Sequence, residues 1–322
     1  MSATTRGQIP AEVNNFYVRT LLKRAVALFV HTRFAQVKDI PQNAGTATVK
    51  FRRYSNLTAA TTALTEGTTP SGSQLAQTVI TADVAQYGDF IKVTDVLTFE
   101  SIDNVLMEAA EILGDQAGDT LDQLARNVLV AGTNVQYAGG NVSRGAVTSS
   151  DKLTAAEVKK MVRTLKKANA RPILRQVNAS TGYATDPVAA AFIGIVSPDT
   201  TYDLEDLDGF TPVEKYSSQL NVLEGEVGKI KQVRFIETTN AKVFSGEGDS
   251  GIDVHATLII GRDAYGTTRI SGKAIENIVK PLGSGGTGDP LNQVATSGWK
   301  ATFVTKILND AFMGRIEHAV TS

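Results

Sequence analysis

A polar stretch of about twenty residues, 55–74, lies between two segments with the composition of β-strands. Residues 46–54 alternate, with Val49 and Phe51 on one side, and period two is typical of a half-buried strand. Residues 76–82 also have an extended pattern. Structureless connections this long are uncommon inside compact domains, and this one has few large apolar residues with which to form a core. We therefore expect a long hairpin arm whose partner lies on another subunit.

The strongest periodic segment is 101–131, where apolar residues keep helical spacing. At 1.5 Å per residue it predicts a rod of roughly 45 Å. Gly132 is suited to end it. Gly114 and Gly118 lie inside, and each costs about 1 kcal/mol relative to alanine. These two glycines therefore indicate a bend or a close backbone approach.

Three further helices have recognisable starts. Residues 10–34 begin with proline, which is favoured at the first helical position, and continue with an apolar helical pattern. Thr154 and Glu157 have the spacing of a capping box. Ser197 followed by Pro198 predicts the N-cap and first residue of a short acidic helix.

Most of the remaining chain is strand-like. The candidate strands are 90–99, 189–196, 231–237, 253–261, 274–279, 302–307 and 311–319. No repeat of fixed period separates them. Many strands with few helices predict an α+β fold class.

Composition excludes several classes of protein. The net charge is −1, from 32 basic and 33 acidic residues, whereas a dedicated DNA-binding surface usually gives a basic protein. The absence of cysteine excludes disulfides, thiolate catalysis and cysteine-ligated zinc. No apolar run approaches the ~20 residues of a bilayer-spanning helix. Residues 1–8 are polar, unlike a secretion signal, and predict a short flexible arm.

One motif resembles a catalytic serine site. Residues 248–251 read Gly-Asp-Ser-Gly, as around the nucleophile of trypsin-like proteases. Such a serine needs a histidine base and a carboxylate that orients it. His255 follows Ser250 in the chain, the wrong order for that family, and no carboxylate has a suitable position. We interpret the motif as a polar turn and keep a serine hydrolase that uses Ser250 and His255 as a remote alternative.

Three other motifs resemble ligand sites only in part. The sequence 283–288 matches G-x-G-x-x-G, but Pro290 follows where a dinucleotide site needs a helix. The stretch 266–273 has one residue too many for a phosphate loop, and Ala274 replaces the magnesium-binding hydroxyl. The acidic stretch 203–209 fits neither register of a calcium loop. We therefore predict no catalytic, cofactor-binding or metal-binding residue and no cofactor.

Several short motifs follow one another along the chain. They are VRFIE at 233–237, GRDAYG at 261–266, DPLNQ at 289–293, GWK at 298–300, ILND at 307–310 and RIE at 315–317. Each is weak alone. Together with 99–131, their order and spacing resemble the major capsid proteins of tailed bacteriophages, which have the Hong Kong 97 fold. Residues 171–190 match no pattern of that family and indicate a lineage-specific loop.

The resemblance implies an α+β fold with named parts. These are an N-terminal arm and helix (1–41), an extended β-hairpin loop (42–98), a spine helix with part of the peripheral domain (99–150), most of the axial domain (151–280) and the return strands of the peripheral domain (281–322).

The resemblance also implies a function. The chain would self-assemble as hexamers and pentamers into the icosahedral head of a phage, built in the host cytoplasm around double-stranded DNA. Its partners would be other copies, the portal, a decoration or scaffolding protein, and DNA bound without sequence specificity. Membranes are not among them, and the chain would not be an enzyme. An encapsulin-type bacterial compartment, which shares the fold, is the alternative.

Some capsids of this family join a lysine on the extended loop to an asparagine on a neighbour. Here no lysine lies between Lys50 and Lys92. We therefore expect a shell without such bonds.

Overall fold

The computed structural model describes residues 29–39, 48–55, 57–64, 66–69, 71–96, 105–174, 190–216, 222–269, 275–285 and 289–321. Within these ranges the chain is a mixed α+β protein. Its helices are α1 (Val105–Val130), α2 (Ala155–Lys167) and α3 (Pro198–Glu205). The predicted fold class is confirmed.

Sixteen strands are present in the described part of the chain. They are β1 (Gln36–Lys38), β2 (Thr48–Tyr54), β3 (Gln77–Asp83), β4 (Ala85–Thr94), β5 (Val135–Tyr137), β6 (Phe192–Val196), β7 (Phe210–Pro212), β8 (Glu226–Ile230), β9 (Val233–Glu237), β10 (Val243–Phe244), β11 (Val254–Ile260), β12 (Tyr265–Thr268), β13 (Ile275–Lys280), β14 (Val294–Phe303), β15 (Thr305–Ile307) and β16 (Met313–His318).

The largest sheet has the order β5-β16-β11-β6-β9-β8-β7. Its central strands β6 and β11 are buried at every residue, because apolar clusters cover both faces. On β6, Ile193 and Ile195 join one cluster, while Phe192 and Val196 join the other. Strands covered on both faces have nearly continuous apolar sequences. This pattern is why β6 and β11 could be predicted from the sequence.

Helices α2 and α3 cover one face of this sheet. Both contribute to a single apolar cluster, α2 through Val158, Met161 and Leu165, and α3 through Leu204. The predicted capping box of α2 is confirmed, because Thr154 accepts from Glu157 N and Glu157 accepts from Thr154 N. The cap of α3 is confirmed as well, since the Ser197 side chain accepts from Thr200 N.

Helix α1 packs against a second sheet, of order β13-β14-β4. Its 26 residues give a rod of about 39 Å. The contact is apolar, with Leu113, Leu121 and Ala125 against Trp299 and Phe303. The helix predicted at 101–131 is therefore confirmed from residue 105 to residue 130, and residues 101–104 lie outside the described part.

Other predicted elements have different bounds or lie elsewhere. The strand predicted at 90–99 is β4, which begins five residues earlier and ends at Thr94, and residues 97–99 lie outside the described part. The strand predicted at 302–307 is interrupted at Val304, between β14 and β15, and most of β14 was not predicted. The helix predicted at 10–34 falls mainly outside the described residues, and its end, 31–34, is a turn.

Candidate assembly surface

Strands β2 and β3 form an antiparallel hairpin over seven residue pairs, from Thr48 with Asp83 to Tyr54 with Gln77. A further backbone hydrogen bond, from Ser55 N to Ala76 O at 2.9 Å, extends the pairing toward the tip. The hairpin therefore brings the two ends of the polar connection 56–75 together. We call β2, β3 and this connection the hairpin arm.

The base of the hairpin arm is anchored by one buried face. Val49, Phe51 and Ala82 are almost fully buried and pack with Leu308. The Phe51 ring lies over Gly266 of β12, where an added Cβ would come within 2.5 Å of the ring. This contact fixes the direction in which the arm leaves the subunit, and the side predicted for Val49 and Phe51 is confirmed.

Beyond its base, the hairpin arm has no buried residue among those that the structure describes. Every described residue from Arg52 to Val79 is exposed. The apolar side chains of Leu57, Leu64 and Leu75 are between 54% and 78% exposed. Apolar surface of this kind on a segment without a core marks a contact with another molecule.

The fold does not join Ser250 and His255, the two residues of the serine hydrolase alternative, by a hydrogen bond. Ser250 lies in an exposed turn with φ 55°, and its hydroxyl donates to Asp249 Oδ2 at 3.1 Å. His255 is buried in β11, and its Nδ1 lies 2.9 Å from Ser197 Oγ. The two side chains thus have different hydrogen-bond partners.

The other partial motifs serve ordinary structural roles where they are described. Residues 266–268 belong to β12, and Asp203 accepts from the backbone N–H of Thr321 at 2.8 Å. In the described part of the chain no group of three or more histidine or acidic side chains could hold a metal ion. No helix there is long and apolar enough to cross a membrane. Residues 270–274 and 286–288 lie outside that part.

Sequence reasoning missed a buried histidine pair. The rings of His255 and His318 lie 6.4 Å apart. His318 Nδ1 is 2.9 Å from the carbonyl of Ala319, which can only accept, so His318 Nε2 takes the hydrogen bond from Thr257 Oγ1 at 2.9 Å. Burial lowers the pKa of His318 to about 4 and also lowers the pKa of His255. Both are therefore neutral at pH 7.

Sequence reasoning also passed over the basic side chains of α2. Lys159, Lys160, Arg163, Lys166 and Lys167 are all exposed. The signal was visible, since no acidic residue lies between 158 and 171.

No family model and no curated protein matches the sequence. Solved structures do match in shape. The capsid of Ralstonia phage GP4 has a TM-score of 0.67 at 12% identity and covers 90% of this chain and 86% of its own. The head structure of Helicobacter pylori bacteriophage KHP40 gives 0.63 at 13%, with 91% and 88% covered.

The capsid asymmetric unit of cyanophage Pam1 gives a TM-score of 0.59 at 16% identity, with 92% of each chain covered. These likenesses cover about nine-tenths of the chain. The chain therefore has the Hong Kong 97-type α+β fold of phage capsid proteins.

Proposed function

We propose that this chain is the major capsid protein of a tailed phage, which assembles as hexamers and pentamers into an icosahedral head around double-stranded DNA. The observation that carries the proposal is the hairpin arm, whose described residues from Arg52 to Val79 are all exposed. An arm with exposed leucines and no core of its own needs a surface on another copy.

We also propose how the parts of this fold correspond to the domains of a capsid subunit. The spine helix α1 and part of the peripheral domain lie in 99–150, and the return strands of that domain, β14 among them, lie in 281–322. Helices α2 and α3, with strands β6–β11 of the large sheet, lie in 151–280, which is mainly the axial domain. The N-terminal part is 1–41 and the extended loop is 42–98. Residues 171–190 are a lineage-specific insertion in this proposal, and 175–189 of them lie outside the described part.

The remaining partners follow from the same proposal. A phage head needs a portal and contacts packaged DNA without reading its sequence, and a decoration or scaffolding protein assists some heads. The near-neutral net charge of the chain fits a shell protein that lies beside packaged DNA without binding it tightly. The site of assembly is the host cytoplasm and the final location is the virion.

The first prediction tests the arm. Residues 56–74 are replaced by an Asn-Gly turn, which suits a tight hairpin. We expect the variant to keep its far-UV spectrum and unfolding midpoint, because the described residues among those lost are all exposed, and to form no closed particles by negative-stain microscopy.

The matched control keeps residues 56–74 in shuffled order, which preserves length and composition but not specific contacts. It should also fold and fail to assemble. If the deletion unfolds the subunit, or if it forms normal particles, the arm is not an assembly element.

Particles from the natural source should contain nuclease-protected DNA, whereas enzyme cargo without DNA would support the encapsulin alternative.

A further inference from the structure

The exposed side of α2 carries only positive charge along most of its length. Its basic residues, together with Lys231, line an open groove of about 930 Å³ that has no acidic residue in its described lining. Residues 158–171 contain six basic residues and no acidic residue. This part of the subunit is therefore a concentrated positive surface.

Within the part of the chain that the structure describes, no salt bridge pairs the basic side chains of α2 with a carboxylate. The only carboxylate of α2, Glu157, accepts from Thr154 N at 3.2 Å and from Gly139 N at 2.8 Å, as part of the helix cap. Lys159 and Arg163 are one helical turn apart, as are Arg163 and Lys167, and like charges at this spacing destabilise a helix. The arrangement is unfavourable unless an acidic partner covers it.

The matching negative surface is on the same chain. Residues 198–214, which include α3, contain six acidic residues and no basic residue. Glu205, Asp206 and Asp208 are exposed. Among the described residues, no salt bridge joins these three side chains, or the basic residues of α2, to an opposite charge. The two segments have equal and opposite formal charge.

The fold places the two segments on the same face of the large sheet. Both helices pack into the same apolar cluster there. Met161 of α2 lies against Gly314 of β16 and α3 packs near β7, while Lys231 of the basic groove approaches Gly209, where an added Cβ would lie 3.6 Å from its Nζ. A face that carries a positive and a negative region side by side can pair with its own copies through opposite charges.

We propose that the basic side of α2 in one subunit docks against residues 205–208 of the next copy, and that this contact repeats around each ring. The inference rests on the proposed self-assembly and adds the residues that set its direction. A second copy fits better than DNA, because a polyanion laid across this face would meet the exposed carboxylates of α3. A head-to-tail contact of this kind closes a ring when its rotation does.

Charge reversal tests the contact. The basic reversal carries Lys159→Glu, Lys160→Glu and Arg163→Glu. The acidic reversal carries Glu205→Lys, Asp206→Lys and Asp208→Lys. The charge swap carries all six changes, so its net charge equals that of the wild type. All substituted side chains are exposed, so each variant should fold, which circular dichroism and thermal unfolding of the subunit check.

We expect each reversal alone to reduce the yield of closed particles at least tenfold, since like charges then face each other across the contact. The charge swap should restore the yield, because opposite charges meet again. The two reversals mixed in equal amounts should also assemble better than either alone.

Other outcomes would overturn the inference. Both reversals assembling like the wild type would show that the segments do not meet. Loss caused only by the basic reversal, without rescue by the swap, would indicate DNA or another acidic partner. A wild-type chain that forms no particles would overturn the proposed function and this contact together, which separates that failure from the others.

Discussion

At the residue scale, Asp122 of α1 connects the first described segment of the chain to the long helix. Its buried carboxylate accepts from Val30 N at 2.9 Å, from His31 N at 2.7 Å and from His31 Nδ1 at 2.7 Å. Both side chains of the Asp122–His31 pair are completely buried. Three donors in one buried site depend on a single acceptor.

The second prediction is that Asp122→Ala lowers the free energy of unfolding by about 3 kcal/mol, because removing one partner of a buried pair leaves its donors unsatisfied. Urea unfolding of the unassembled subunit measures the loss. The control is Asp119→Ala, one turn away and only partly buried, which should change the value by less than about 0.5 kcal/mol. Equal effects of the two substitutions would contradict the role of the pair.

The third prediction concerns His318. Its pKa is about 4 in the folded subunit, because burial disfavours the charged form, and about 6.5 in an unfolded chain. The unfolded state therefore binds a proton first as the pH falls. Stability is fully present above about pH 6.5 and declines toward about pH 4, by roughly 3 kcal/mol for this group.

The comparison that isolates this effect is His318→Gln, which retains a polar side chain but cannot titrate. Urea unfolding from about pH 7 to about pH 4.5 should show a shallower loss of stability in the variant than in the wild type. His255, whose pKa is also lowered by burial, should supply part of the remaining slope. Identical pH profiles would mean that His318 is not the responsible group.

The buried charged pairs could not be predicted from the sequence. Arg234 and Glu226 are both buried, and their side chains meet at 2.5 Å between neighbouring strands. Glu317 is buried and accepts from Arg144, 173 residues earlier in the chain, at 2.7 Å. In the sequence Arg234 and Glu317 interrupt apolar strand patterns, and only the fold brings each charge to its partner.

At the element scale, local signals located the helix starts well. The Thr154 cap of α2 is set by residues three positions apart, so it needs no tertiary information. The same holds for Ser197 and Pro198 of α3. The alternation of β2 was also clear, since only Val49 and Phe51 on one face reach a core.

Strand β14 had no comparable signal. Its Thr296, Ser297 and Gly298 are small and mainly polar, yet Ser297 and Gly298 are buried because β13 and β4 pair on both sides. Gly298 is required by space, since an added Cβ would lie 2.7 Å from Phe90 Cβ. A central strand made of small residues is determined by the strands that pair with it, so the periodicity of its own sequence does not predict it.

The fourth prediction is that Thr154→Ala lowers the free energy of unfolding by about 1 kcal/mol, the usual cost of removing a helix N-cap. Thermal or urea unfolding of the subunit measures it. The matched control is Thr164→Ala in the same helix, where the hydroxyl is exposed and only bonds back to Lys160 O at 3.2 Å. The control should shift stability by less than about 0.5 kcal/mol, and a loss as large as that of Thr154→Ala would contradict a specific cap.

At the scale of the whole molecule, the sequence predicted an arm without a core because its polar composition leaves no alternative within one subunit. The sequence did not predict that the base of the arm packs on Gly266 and Leu308. Those contacts join residues more than two hundred positions apart. Likewise, the charges of α2 and α3 were visible in the sequence, but their shared face depends on how both helices cover one sheet.

The fifth prediction is that the assembled shell contains no covalent bond between subunits. The chain has no cysteine, and the arm has no lysine beyond Lys50 at its base, while Lys92 lies on β4 with its amine 5.7 Å from the centre of the Phe90 ring. Neither amine is near the tip, where an arm would reach a neighbour. Obligate contacts of roughly 2,000–5,000 Å² can hold subunits without bonds.

Mature particles boiled in detergent should therefore run as a single band near the 34.2 kDa of the chain. A ladder of dimers, pentamers and hexamers that survives boiling would contradict the prediction and would make Lys50 and Lys92 the first residues to replace with arginine. Arginine keeps the charge of lysine but cannot take its place as an amine nucleophile. Loss of the ladder in Lys50→Arg but not in Lys92→Arg would then place the bond at the base of the arm.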